Sequence, residues 1–260
     1  MVSAALAAGQ GLMRRFGDRA SLRVELKGRA DLVSTADLES QETLRARLLG
    51  DYPAFGFWGE EGAAAADGGA HEARFIVDPL DGTTNFVHGL PHFAVAIALQ
   101  REGRIVAGVV FDPAKNELFA ARAGAGATLN GEALRVAPDR DLALALVGTG
   151  IPHSNAPERH EAYLGKLAAV MKEAAGIRRF GAAALDLAYV AAGRFAAFFE
   201  TGLKPWDVAA GALLVREAGG RVSEPDGGDG DVVSLGDVLA TNGHVHATLI
   251  ELLRDRAGVR

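Results

Sequence analysis

Between Phe75 and Val136 the chain passes through a rapid series of short apolar stretches, "ARFIVD", "FAVAIALQ", "IVAGVVFD", "ELFAARAG" and "EALRVA", broken by turn formers such as Arg101-Glu102-Gly103 and Asn130-Gly131. Segments this short favour strands over helices, and turns of this chemistry join neighbouring strands in antiparallel fashion. A mostly antiparallel sheet is therefore expected here. Ahead of it, "SLRVELKG" has the pattern of a strand. "STADLESQETLRARLLG" predicts a helix capped by Ser34 or Thr35, with a Leu38/Leu44/Leu48 stripe and a stop at Gly50. In "MVSAALAAGQGLMRRF", Val2, Leu6, Met13 and Phe16 fall near helical spacing and predict an amphipathic first helix. Its arginines follow the apolar part, which argues against a signal peptide.

Beyond Asp141 the pattern alternates. "LALALVGTG" reads as strand, Glu158 to Ala174 as helix, "GIRRF" as strand, "AALDLAYVAAG" as helix, "FAAFFE" as strand and "WDVAAGALLVREAGG" as helix. Such alternation argues a second, α/β layer. The expected organisation is an N-terminal α+β half over 1–140 and a C-terminal α/β half over 141–260, joined without a linker as one continuous structural unit. The loop "GAAAADGGAHEA" and the turn "DGGDGD" stand outside these elements.

Composition then narrows the chemistry. Thirty-three acidic residues against twenty-seven basic ones give a net charge of -6, so no basic field exists to hold nucleic acid as a primary partner or an anionic membrane. The absence of cysteine removes disulfides, thiolate nucleophiles and zinc-thiolate sites, and fits a cytoplasmic setting. Any metal must sit on oxygen or imidazole.

"IVDPLDGTTNFVHG", from Ile76 to Gly89, ends an apolar strand in Asp78-Pro79-Leu80-Asp81. Proline bends the chain between two carboxylates, so both can face one point. Carboxylates with a carbonyl such as that of Leu80 suit a hard divalent cation. Gly82 permits close backbone approach, and Thr83-Thr84-Asn85 begins a helical turn whose unpaired amides could take a phosphate oxygen. Further acids stand in "WGEEG", at Glu60 and Glu61, and in "KPWDVAAG", at Asp207. "RAGAGATLNG" lacks the third glycine of a dinucleotide loop, and His244 and His246 have no partner motif for zinc and read as surface or packing residues.

With these residues in view, the chain resembles the inositol monophosphatase family of magnesium-dependent, lithium-sensitive sugar phosphatases. The resemblance is carried by "KGRADLVSTAD", "WGEEG", "DPLDGTTNF", "GAAALDLAYVAAGR" and "FFETGLKPWDVAAG", in that order over nearly the whole chain. It implies a layered αβαβα sandwich, a homodimer, and a phosphoric monoester hydrolase using two or three Mg2+ per active site. Glu60, Asp78 and the Leu80 carbonyl would hold one cation, and Asp78, Asp81 and Asp207 another. Thr83, hydrogen-bonded to Asp37, would act with Glu60 on the attacking water. Lys27 would lie near the phosphate, supported by Asp31 in the same loop, and Glu61 would steady the site from behind. Asp81, the amides of Ala182 and Ala183, and Glu200 would contact the hydroxyls of inositol. Ala182 departs from the family's usual serine or threonine, so any side-chain hydroxyl contact is lost there. The expected substrate is inositol 1-phosphate; fructose 1,6-bisphosphate, 3'-phosphoadenosine 5'-phosphate, NADP and histidinol phosphate are the alternatives within the same mechanism. A regulatory binding module is the alternative outside it.

Overall fold

The computed structural model describes residues 1–28, 31–61, 71–152 and 157–254. Most of the loop "GAAAADGGAHEA" therefore lies outside the described residues. The side chains of Lys27 and Asp31, expected near the phosphate, lie outside them as well.

The chain begins with α1 (Val2–Gly17), the antiparallel pair β1 (Val24–Gly28) and β2 (Asp31–Ser34), and α2 (Thr35–Asp51). A seven-stranded sheet follows in sequence order: β3 (Gly56–Gly59), β4 (Ala73–Asp81), β5 (Ala94–Arg101), β6 (Arg104–Asp112), β7 (Glu117–Arg122), β8 (Ala127–Leu129) and β9 (Glu132–Ala133). Only β3 and β4 run parallel; every later neighbour is antiparallel. Asn130 and Gly131 both take positive φ, 50° and 90°, as the two-residue turn between β8 and β9 requires. The sheet also carries a short helix, α3 (Thr83–Val87), at the end of β4.

The second half contributes β10 (Leu146–Thr149), α4 (His160–Glu173), β11 (Gly176–Arg178), α5 (Ala183–Ala191), β12 (Ala197–Glu200), α6 (Pro205–Glu217), β13 (Arg221–Ser223), α7 (Val232–Leu235), β14 (Val238–Thr241) and α8 (His246–Leu253). Its five strands form a mixed sheet in the order β11-β10-β12-β14-β13.

Alternation along the strands sorts the layers. In the larger sheet Phe75, Val77, Val95 and Ile97 pack with α1 and α2, whereas Ile76, Ala94, Ala96 and Ala98 pack with α5 and α6. In the smaller sheet Phe198 and Ala240 face α5 and α6, while Phe199 and Leu239 turn outward to α4 and α8. The result is the αβαβα sandwich, with α5 and α6 between the two sheets. No helix among the described residues is long and apolar enough to cross a membrane.

Several sequence expectations need correction. The first helix forms, but of its expected apolar positions only Phe16 packs on the core, against Phe86 and Phe93. Val2, Leu6 and Met13 are exposed, and Ala4, Ala5, Ala8, Gly9 and Leu12 are buried. A Cβ at Gly9 would run into the Phe111 ring, so α1 lies too close to the sheet for large side chains. In α2, Leu38 is exposed while Leu44 and Leu48 are buried. The helix also passes through Gly50 to Asp51, and it is Pro53, without an amide hydrogen, that forbids another turn. "LALALVGTG" opens with a 3-10 turn at Leu142–Leu144, capped by Asp141, before β10 begins. "EALRVA" pairs only at Glu132–Ala133; beyond it the Val136 amide binds the Ala218 carbonyl at the end of α6, so the chain leaves the sheet.

Candidate active site

The two aspartates of "DPLD" are three residues apart, and in a regular strand they would point to opposite faces. A bulge prevents this. Asp78 pairs with Ala96 and Asp81 with Ala94, so Pro79 and Leu80 together oppose the single residue Val95. Ala94 and Ala96 both pack on the α5/α6 side, and cross-strand partners share a face, so both carboxylates are turned to that side. The bulge is pinned by Ser40 Oγ, which donates to the Pro79 carbonyl at 2.7 Å, and by the Leu80 amide, which donates to Asp78 Oδ1 at 2.9 Å.

The other acids arrive from separate elements. The Glu60 amide donates to the Val77 carbonyl at 3.1 Å, extending the parallel β3–β4 pairing so that Glu60 lies beside Asp78. Gln41 clamps the neighbouring residue from both sides: its Oε1 accepts the Glu61 amide at 2.9 Å and its Nε2 donates to the Glu61 carbonyl at 2.7 Å. Glu61 itself is buried. Asp207 stands in the first turn of α6, where its Oδ2 accepts the Lys204 amide at 2.8 Å. The first turn of α5 meets Asp81, whose Oδ2 accepts the Ala184 amide at 2.8 Å, and the Ala183 amide is also directed to this carboxylate.

Thr83 opens α3 behind Gly82, which has φ 87°. Its hydroxyl donates to Asp37 Oδ1 at 2.7 Å, with the Leu80 carbonyl a second acceptor at 3.0 Å. Asp37 is part of the capping box of α2: its Oδ2 takes the Ser34 amide at 2.8 Å and the Ser34 hydroxyl at 2.7 Å. Thr84 is exposed. The first amides of α3 have no partner within the helix and can bind an anion.

The electrostatics are unusual for a resting surface. Burial first, then repulsion from Glu60, Asp81 and Asp207, pushes Asp78 well above the usual carboxylate range. Burial likewise pushes Asp81 up to about 7, with the Ala184 amide pulling the other way. Asp207 is also pushed up to about 7, by burial and then by Asp81. Glu200 reaches about 8 through burial and then Asp207, opposed by Arg179. Asp37 is raised by burial in spite of its hydroxyl and amide donors.

Among the described residues no group of three or more His, Asp or Glu side chains stands as a ready-made metal cage. The fit to a cation rests on donor chemistry. Acids from β4 and α6 repel one another and are pushed above the usual carboxylate range, and a hard divalent cation relieves both desolvation and repulsion at once.

Glu200, at the end of β12, lies directly over Gly150, where any Cβ would collide with its carboxyl group. A side chain there would displace the Glu200 carboxyl from this position. The expected hydroxyl-contacting residues Ala182 and Ala183 are at the start of α5.

Two residues that bind this site together were not anticipated in these roles. Gln41 is one. Asn85 is the other: it is buried, and its Nδ2 donates to the carbonyls of His92 at 2.9 Å and Phe180 at 2.8 Å, with Gly181 at 3.4 Å. It thereby ties the acid-bearing loop to the loop ahead of α5. Nothing local in the sequence signals these long-range bonds. Asn85→Ala should lower the melting temperature by about 4–10 °C, as expected when buried carbonyls lose their donor. Asn85→Asp should be worse, because it sets an acid against them. Calorimetry of the two variants checks this, and an equal or reversed order would refute the clamp.

A model of the "Inositol monophosphatase family" matches residues 1–257. The chain is 50% identical over 255 residues to an "Inositol-1-monophosphatase" of Rhizobium meliloti (strain 1021), covering 98% of this chain and 94% of that one. It is 41% identical over 254 residues to "Nus factor SuhB" of Escherichia coli (strain K12), again covering 98% and 94%. The crystal structure of "extragenic suppressor protein suhB" from Bartonella henselae superposes with a TM-score of 0.92 at 47% identity, covering 98% of this chain and 97% of that one.

Proposed function

The chain belongs to the inositol monophosphatase family, and from that membership we propose that it hydrolyses inositol 1-phosphate to inositol and phosphate, with magnesium held by Glu60, Asp78, the Leu80 carbonyl, Asp81 and Asp207. It is a phosphoric monoester hydrolase. The observation that carries the substrate and metal reading is the bulge in β4, which turns Asp78 and Asp81 to one side beside Glu60, Asp207 and a helix start suited to phosphate.

Bound divalent cations supply Lewis acidity, neutralising phosphate charge and lowering the pKa of water. The chain's residues supply the direction. Thr83 gives its hydroxyl hydrogen to Asp37, which leaves an oxygen lone pair to accept a hydrogen bond from the attacking water. Glu60 accepts the proton as the water oxygen bonds to phosphorus. The first amides of α3 hold a phosphate oxygen. The bond from phosphorus to the inositol oxygen breaks opposite the attack, that oxygen takes a proton from a water hydrogen-bonded to Asp207, and the proton taken up by Glu60 neutralises the hydroxide that remains. No covalent enzyme intermediate forms.

The test is phosphate release from inositol 1-phosphate, fructose 1,6-bisphosphate, 3'-phosphoadenosine 5'-phosphate, NADP and histidinol phosphate, with magnesium and with chelator. Turnover is expected to require magnesium and to be highest in kcat/KM for inositol 1-phosphate. A different substrate at the head would replace the substrate and keep the mechanism. A regulatory binding role is the second reading, favoured by the relatives named Nus factor SuhB; it stands alone only if folded, metal-loaded protein releases phosphate from none of the five.

A further inference from the structure

Helix α5 is buried along its whole length and carries one charged residue, Asp186, in the otherwise apolar stretch "AALDLAYVA". Asp186 is 1% exposed. Its Oδ1 is enclosed and has no hydrogen-bond partner among the described residues. A buried carboxyl left in that state is unfavourable to the fold, and an apolar residue of similar shape would be better accommodated.

The backbone shows where this group points. Its amide closes the first turn of α5 on the Ala182 carbonyl at 3.0 Å, so Asp186 lies on the helix face of Ala182 and Ala183, one turn further on. Helical side chains lean toward the N-terminus, here toward the first turn of α5, whose Ala184 amide donates to Asp81. Electrostatics agree: burial first, then Glu200 and Asp81, push the carboxyl well above the usual carboxylate range, with Arg179 opposing them. Glu200 and Asp186 therefore act on one another electrostatically, on the side of α5 whose first turn donates to Asp81.

We propose that Asp186 is a specificity-determining residue of the leaving-group pocket, pairing with Glu200, directly or through one trapped water, to read a hydroxyl group of a polyol phosphoester. The assignment rests on the phosphomonoesterase reading above. Two carboxyl groups at one hydroxyl can present an acceptor and a donor together, matching a group that both donates and accepts. A leaving group without further hydroxyls leaves the pair unsatisfied, and sites built to bind a hydroxyl discriminate strongly against analogues that lack it.

The experiment compares wild type, Asp186→Asn and Asp186→Leu on inositol 1-phosphate and on 4-nitrophenyl phosphate, whose leaving group has no further hydroxyl. For Asp186→Leu the fall in kcat/KM should be at least about tenfold larger on inositol 1-phosphate than on the aryl ester, carried mainly by KM. Asp186→Asn, which keeps a donor and an acceptor, should show a smaller split. Melting temperatures of both variants identify loss of folding, and Asp186→Asn keeps the comparison available if the leucine variant is unstable. Equal losses on the two esters, or none on either, overturn the assignment and leave the phosphatase reading intact. Wild type that cleaves neither ester overturns both.

Discussion

Asp78→Asn is expected to lose magnesium-dependent phosphate release by about a thousandfold or more, and yet to melt at a higher temperature than wild type when both are held in chelator above neutral pH. The two effects have one cause. Asp78 is buried, and its ionised form is opposed first by burial and then by Glu60, Asp81 and Asp207. Without a cation the carboxyl keeps its proton to higher pH than an ordinary carboxylate, and asparagine mimics the uncharged form. The hydrogen bond from the Leu80 amide to Asp78 Oδ1, 2.9 Å long, survives because an amide oxygen accepts it equally well. Where wild type must ionise the group, the variant need not, so its advantage should grow with pH. For a chain near this size each kcal/mol of relief corresponds to a gain of roughly 2–4 °C. Phosphate release and chelator melting curves between pH 7 and 9 check both halves. Retained activity would remove Asp78 from the cation site, whereas a lower melting temperature would show that its charge stabilises the fold without metal.

How much of this site can be read from the sequence depends on how local each contact is. The acid loop lies within Asp78 to Asn85, and its proline, glycine and paired carboxylates mark it without reference to the rest of the chain. The need for a bulge to bring Asp78 and Asp81 to one face becomes clear only from the register against Ala94 and Ala96. Asp37, Glu60 and Asp207 are distant in sequence, so family resemblance selects them and the fold explains their assembly through a helix cap, a parallel strand pair and the first turn of α6.

Other features had no sufficient local signal. The buried face of α1 is small rather than strongly apolar, so a hydrophobic pattern selects the wrong side; the close approach at Gly9 decides it. Asn85 and Gln41 act through hydrogen bonds to distant backbone groups. Asp186 did leave a trace, as the one charge in an apolar helix, but an acid in a first helical turn also has an ordinary explanation in the helix dipole. Its enclosed, unpaired oxygen separates the two explanations.

Magnesium should stabilise the fold more as pH rises, and the stabilisation should fade by about pH 5. In the metal-free protein Asp81 and Asp207 titrate near 7 and Glu200 near 8, above their ordinary values of 3.8 and 4.5. Between the ordinary and raised values the folded chain binds more protons than the unfolded one, so these acids make metal-free stability fall as pH rises. His92 and His246 act in the opposite direction. Burial lowers both from 6.5 to about 4, so between pH 4 and 6.5 the unfolded chain binds more protons and stability rises with pH. His246 lies between Ser223 at 3.0 Å and Thr241 at 2.9 Å, and burial and Arg221 rather than the cluster acids lower it, so a cation at the cluster leaves its contribution unchanged. Subtracting melting temperatures in chelator from those in magnesium cancels the contribution of His246 and weights the difference toward the acids. If one proton leaves for each effective binding event, linkage adds about 1.4 kcal/mol per pH unit, or roughly 3–5 °C, to that difference between pH 6 and 8. Asp81→Asn should flatten the slope, because it removes both a ligand and a titrating group. A pH-independent difference would mean that magnesium binds without displacing protons from these carboxylates, and would move the cation site away from β4.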